Sequence, residues 1–283
     1  MVQLLDHPLA ANAGGAQLTN DAEREELKAA LVATQESAAV QILLEACLEM
    51  PEDRAKPGQM WALREVRSLI CSYLHQVFIR DPHLAKLVHF QGYPRELLPV
   101  TVQGIPSMHI CLDFIPELIS QPAPEKQVFA VDLVSYLAVQ YALPKSLNVA
   151  RLALNILSTL LGVLPSESRP DFFQPALPAL VRICMAFPPL VDDTVSFLMQ
   201  LGRVCVSQAS LDGLSPFPIS VIKRNSRWQF KGEQVTSEEK NGAKNQFHDF
   251  EDVVMPTNDS LYEEVQKTFS SILTKAILKV KIY

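Results

Sequence analysis

Apolar residues recur along this chain at helical spacing. Between Met60 and Ile79, Leu63, Val66, Ile70, Leu74 and Val77 form one stripe, with Arg64, Ser68, Ser72 and His75 on the other face. SLNVARLALNILSTLLGVL repeats the pattern with a polar stripe of Asn148, Arg151, Asn155 and Ser158. LVDDTVSFLMQLGRVCVS does so with Asp192, Ser196, Gln200, Arg203 and Ser207. EKQVFAVDLVSYLAVQYAL is apolar nearly all round, which predicts a helix covered on two sides.

Punctuation divides these patterns. Asn20 is placed to cap NDAEREELKAALVA, with Glu23 three residues on, and ESAAVQILLEACL predicts a second helix ending before Pro51. PEDRAKPG (51–58) reads as a polar loop. Asp81-Pro82 restarts the helix that stops at Gly92. Pro94 opens RELLPVTVQ, which ends at Gly104, and Pro106-Ser107 opens MHICLDFIPELIS. Pro99 and Pro116 then fall inside helices, where each should produce a kink costing about 3 kcal/mol. A further helix spans Pro170–Phe187.

Consecutive helices with short joints predict an all-α fold. FIPELI (114–119) returns loosely as ALPALV (176–181), a pattern that suits a HEAT/armadillo-like solenoid of stacked helix pairs. The expected organisation is a flexible lead-in over 1–18 and the solenoid over 19–207. A polar, disordered linker over 208–259 and a final helix over 260–283 follow. That last helix places Leu261, Val265, Phe269, Ile272 and Ile277 on one side.

Composition agrees. Of 283 residues 48% are hydrophobic but only 7% aromatic, and 20 prolines outnumber 10 glycines, which favours many helices of moderate length. The net charge of -6 gives no reason to expect nucleic acid or an anionic membrane as partner. Cys47, Cys71, Cys111, Cys184 and Cys205 lie in apolar runs and read as buried hydrophobes in a reducing compartment. The opening MVQLLDHPLAANAGG has no basic start or clean apolar run, so no secretion signal is read there. No bilayer span is expected: 97–112 is broken by prolines and 152–164 is short.

Candidate chemistry concentrates in 89–119. Ser107, His109 and Asp113 are the letters of a hydrolase triad, and on an α-helix His109 and Asp113 share a face. Ser107 would point elsewhere, and neither a GxSxG elbow nor an oxyanion-hole motif accompanies it. The bland reading, an N-cap serine beside a half-buried His–Asp pair, is favoured. Cys71 with His75, and His109 with Cys111, lack the CxxC or HExxH partners of a zinc site. KRNSRWQFK interleaves Lys223, Arg224, Arg227 and Lys231 with Trp228 and Phe230, which could stack RNA bases. The acidic residues that follow favour a solvated linker instead, so direct nucleic-acid contact is not the preferred reading. No catalytic residue, cofactor or metal is expected.

KLVHFQGYPRELLPVTVQGIPSMHICLDFIPELISQP (86–122), QYALPKSLNVARLALNILSTLL (140–161) and FPPLVDDTVSFLMQLGRVC (187–205) resemble the C-terminal part of the Integrator complex subunit 2 family. The resemblance covers roughly Leu31–Val206; it fades before Asn20 and after Ser207, and LTKAILKVKIY departs from the family's usual end. It implies a fragment of a longer, non-catalytic helical scaffold in the nuclear Integrator complex. It also implies other Integrator subunits as partners and, through them, RNA polymerase II. That complex cleaves nascent transcripts, small nuclear RNA precursors included. Its enzymatic activities sit in other subunits, so the resemblance supplies no catalytic residue here.

Overall fold

A computed structural model describes residues 13–49, 57–211 and 257–277. The described residues are helical throughout apart from short joints, with no strand among them, so the fold is all-α. The α-helices are α1 (Ala13–Glu45), α2 (Pro57–Arg80), α3 (Pro82–Gln91), α4 (Leu98–Gly104), α5 (Ile115–Ile119), α6 (Pro124–Gln140), α7 (Pro144–Val163), α8 (Arg169–Ala186), α9 (Val191–Leu211) and α10 (Thr257–Ile272). 3₁₀ turns occupy Arg95–Leu97, Pro106–Asp113, Ser166–Ser168 and Pro188–Leu190, and a π turn over Leu273–Ile277 follows α10.

Several expected boundaries move for identifiable reasons. The two helices expected over 20–48 are one: nothing in ATQESAAV (33–40) breaks a helix, so α1 runs through Asn20 rather than starting there. Residues 13–18 belong to the same helix, while 1–12 lie outside the described residues. α2 opens at Pro57, inside the stretch read as loop, because proline fits a first helical turn. Pro99 and Pro116 kink no helix either. Each stands in the first turn of its own short α-helix, where its missing N–H has no helical acceptor to serve. Interior prolines are found in α8, at Pro175 and Pro178, where deep burial of Phe173, Leu177, Leu180 and Ile183 offsets their cost. The expected linker, 208–259, falls mostly on 212–256, outside the described residues; its two ends are helical, in α9 and α10.

Two expected punctuation marks are found as read. Asp81 Oδ1 accepts from the backbone N–H of His83 (3.0 Å) and Leu84 (3.1 Å), capping α3. Gly92 ends α3 at φ +81°, a conformation that costs glycine little. Lys126 completes that end by donating from Nζ to the carbonyls of Phe90 and Gln91, placing a cation at the helix C-terminus.

The chain divides into two compact units, with the boundary at Val149/Ala150 inside α7. In the first, α6 is the central strut, packed by α4, α5 and the Pro106–Asp113 turn, with Val131, Leu133 and Leu137 out of solvent. Its one buried carboxylate among the described residues, Asp132, is met by the Arg95 guanidinium, whose Nε lies 2.6 Å from Oδ2. The C-terminal half of α1 lies on α3, where Gln41 Nε2 donates to the Gly92 carbonyl at 3.1 Å.

In the second unit α8 and α9 touch sparingly, and α10 fills the space along both. Leu261, Val265, Thr268, Ile272 and Ala276 are its buried face, and Gln174 on α8 donates to Ser260 Oγ at 3.1 Å. Ile277, expected on that face, is 40% exposed. Five residues after Ile272, it lies about 140° round an α-helix from it, whereas Ala276, four residues after Ile272, stays on the face.

By length and composition α7 could cross a membrane, with a mean hydropathy of 1.4 over its most apolar window, so the reading of 152–164 as too short understates it. Its polar stripe, Asn148, Arg151, Asn155 and Ser158, is exposed, while Ala150, Ala153, Leu154 and Leu157 are buried. That division marks an amphipathic helix half covered by protein.

Candidate functional site

The stretch 89–119 is built from turns tighter than the sequence pattern suggests, and this decides what its polar side chains can do. In the 3₁₀ turn Pro106–Asp113, residues four apart no longer share a face, since three residues complete each turn. His109 and Asp113 therefore do not pair. His109 is exposed, its ring set edge-on to Tyr141 at 5.8 Å and its Nδ1 3.3 Å from the Pro106 carbonyl. Asp113 forms an exposed ion pair with Lys145 instead. Ser107 is no cap, because the backbone of Ile105 precedes the turn and no side chain caps it; the Ser107 hydroxyl is buried without a partner. The three triad letters point into three different environments.

Of the two histidines in this stretch, His89 is the one the fold encloses. It is 1% exposed, and the rings of Tyr93, Phe114, Phe78 and Phe129 surround it at centroid distances of 5.4 to 6.4 Å. Its Nδ1 lies 2.7 Å from the Ala85 carbonyl, which can only accept, so Nδ1 carries the proton. Nε2 is then an acceptor, facing Tyr93 OH at 3.2 Å and Cys111 Sγ at 3.6 Å. Tyr93 OH also lies 3.1 Å from Thr101 Oγ1, and Thr101 donates to the Leu98 carbonyl at 3.2 Å. One order of protons satisfies every group: Thr101 to Leu98, Tyr93 to Thr101, Cys111 to His89, and His89 to Ala85.

Burial pushes the His89 pKa down to about 4 and holds the Cys111 thiol and Tyr93 phenol far above their ordinary values. A neutral imidazole beside a protonated thiol, closely packed by Leu44, Val88, Ile105 and Met108, ties α3, α4 and the Pro106–Asp113 turn together. It offers no activated nucleophile.

This knot makes the first unit acid-sensitive in a defined window. The unfolded imidazole titrates near 6.5 and the folded one near 4, so between these values the unfolded state holds the extra proton. Stability is full above about pH 6.5 and falls as pH drops towards 4, by roughly 3 kcal/mol in total. Melting curves taken from pH 7.5 to 4 should show this decline, and His89→Phe should flatten it. Equal slopes in both proteins would refute the assignment.

Cys71 Sγ faces the Val100 carbonyl at 3.9 Å, and among the described residues no three His, Cys, Asp or Glu side chains gather to hold a metal ion. All five cysteines are buried. Lys223–Lys231, the candidate RNA-contacting run, lies outside the described residues.

The sequence pattern missed a surface. On α2 the core face consists of Cys71, Leu74, Val77 and Phe78; Val66, expected among them, is 38% exposed. Leu69 and Tyr73 beside it, and Trp61 and Ile79 farther round the helix, are exposed as well. The signal was present as apolar residues lying outside the single stripe first drawn through this helix. On α1, residues 21–32 are exposed on every side, Leu27 and Leu31 included.

Comparison with known proteins matches residues 1–210 to the family profile described as Integrator complex subunit 2. Among curated proteins of that name, the one from Mus musculus is 55% identical over 215 residues, covering 66% of this chain and 18% of the relative. The Gallus gallus protein is 53% identical over 229 residues, covering 72% and 19%. That of Drosophila melanogaster is 44% identical over 194 residues, covering 69% and 18%. The chain thus spans under a fifth of the length of the curated relatives it matches.

Proposed function

Because the chain belongs to the Integrator complex subunit 2 family, we propose that it serves as a non-catalytic helical scaffold within the Integrator complex, binding other Integrator subunits in the nucleus. Through them it supports RNA polymerase II transcript cleavage, including small nuclear RNA 3′-end processing. A HEAT/armadillo-like stacking of its helices is part of this reading. The observation that carries it is the 55% identity to the mouse Integrator complex subunit 2 over 215 residues. The sealed His89–Cys111 contact and the dispersed Ser107, His109 and Asp113 agree with a role in holding partners rather than turning over a substrate.

The test is affinity purification of the tagged chain from nuclear extract, followed by mass spectrometry. Other Integrator subunits should be enriched above a tag-only control. Recovery of none of them would sink the proposal.

A further inference from the structure

Within the second unit α10 differs from the other helices in how it is connected and in what it covers. Residues 164–168 join α7 to α8 and residues 187–190 join α8 to α9, whereas residues 212–256 stand between α9 and α10. α8 and α9 touch each other sparingly, and α10 lies along both. The family profile matches residues 1–210, so it takes in α8 and all but the last residue of α9 and stops before α10. The two walls belong to the matched stretch, and the helix seated between them does not.

α10 is also built to be one-sided. Leu261, Val265, Thr268, Ile272 and Ala276 recur every three or four residues and are buried, while Glu263, Gln266, Lys267, Ser270 and Thr274 are exposed. Lys267 pairs with Glu264 at 3.1 Å within the helix, so this ion pair does not depend on α8 or α9. An apolar stripe set against two helices, with a polar back, is the pattern of a helix held in a groove. The seat is open at Gly202 of α9. The atoms nearest to where a Cβ would stand there are Tyr262 Cε2 at 3.7 Å and Val265 Cγ1 at 3.8 Å, both on α10. Glycine is a poor helix former, yet a side chain much larger than alanine at this position would take up the space of α10.

From this we infer that α8 and α9 form a helix-receiving groove and that α10 is its tethered, exchangeable ligand rather than a fixed layer of the fold. The kind of partner the groove fits is read from α10 itself: an amphipathic helix with leucine, valine, isoleucine and alanine along one stripe and a polar, charged back. The tether raises the local concentration of α10, so the groove is closed in cis to a helix of similar affinity arriving from another chain.

The test uses the full chain with a protease site inserted within 212–256, so that cutting frees α10 from its tether. A fluorescent synthetic peptide of residues 257–277 is added in excess and its anisotropy followed. The cut chain should take up the peptide by exchange, and the uncut chain at the same concentrations should take up at least tenfold less. A peptide carrying Ile272→Asp should bind the cut chain at least tenfold more weakly, and that change leaves the folded chain untouched. The inference is overturned if the cut chain takes up no peptide or precipitates, since α10 is then a fixed part of the core. It is equally overturned if cut and uncut chains take up the peptide alike, or if the Ile272→Asp peptide binds as well as the parent, since the binding then lies outside the groove. An uncut chain that runs as a dimer and is dissociated by the peptide overturns it too, because α10 would then sit on a second copy. None of these outcomes touches the family assignment, which rests on residues 1–210.

Discussion

Gly104→Val is expected to destabilise the first unit strongly. The reason is proximity. A Cβ at position 104 would lie 2.6 Å from Cys71 Sγ and 3.1 Å from Cys71 Cβ, where the end of α4 passes α2. Sulfur could rotate aside, but Cβ is fixed to the backbone of α2, so the helices must part. Overpacking of this kind costs roughly 1–3 kcal/mol for alanine, and valine's two further methyls take it to the upper end or beyond. For a unit of this size the melting midpoint should fall by about 5–15 °C. A double-mutant cycle isolates the cause: Gly104→Ala in a Cys71→Ala background should lose much of its cost, because Sγ is gone. An unchanged cost in that background would show that the clash is not the explanation.

The second large effect concerns α10. Ile272 is wholly buried where α10 lies against α8 and α9. Ile272→Ala should cost about 2–4 kcal/mol through the lost apolar contact and the cavity left behind. Ile272→Asp should cost more, since a carboxylate there has to be desolvated or the helix has to leave. Helix departure would uncover the inner sides of α8 and α9 together, so thermal unfolding of the second unit should lose cooperativity and bind an apolar dye. Ile277→Asp is the control: it changes an exposed residue five positions on and should be nearly silent. An Ile272→Asp protein that melts like wild type would mean α10 adds nothing to the unit. The outcome matters for the family assignment too, because α10 lies beyond residues 1–210, the matched stretch, yet completes the packing of α8 and α9.

What could be read without coordinates was local. Asp81-Pro82 specified a cap and a helical first turn, Gly92 a left-handed stop, and the stripes of α7 and α9 the exposed face of each helix. These signals reside within a few residues and need no knowledge of neighbours. The misreadings depended on such neighbours or on small changes in turn geometry. Gly104 was read only as the end of a helix; its φ is not in the left-handed region, and a helix distant in sequence makes a side chain there costly. His109 and Asp113 were placed together by counting 3.6 residues per turn through a segment that has three. Ile277 was placed on the buried face although it stands five residues after Ile272, about 140° round the helix from it. The centre of the buried knot, His89, was visible as a letter in the sequence. That four aromatic rings would enclose it depended on α2, α6 and the Pro106–Asp113 turn converging, which no local pattern encodes.

The five buried cysteines make the chain its own reporter of motion. Each thiol is sheltered, and burial also holds Cys47, Cys71, Cys111 and Cys184 above the ordinary thiol range. Alkylation at neutral pH therefore requires the surrounding helices to open first. Three thiols lie in the first unit and two in the second. The rate at which each is modified thus clocks the opening of its own unit, with no engineered label, and a variant's damage can be assigned to one unit by which cysteine reacts sooner.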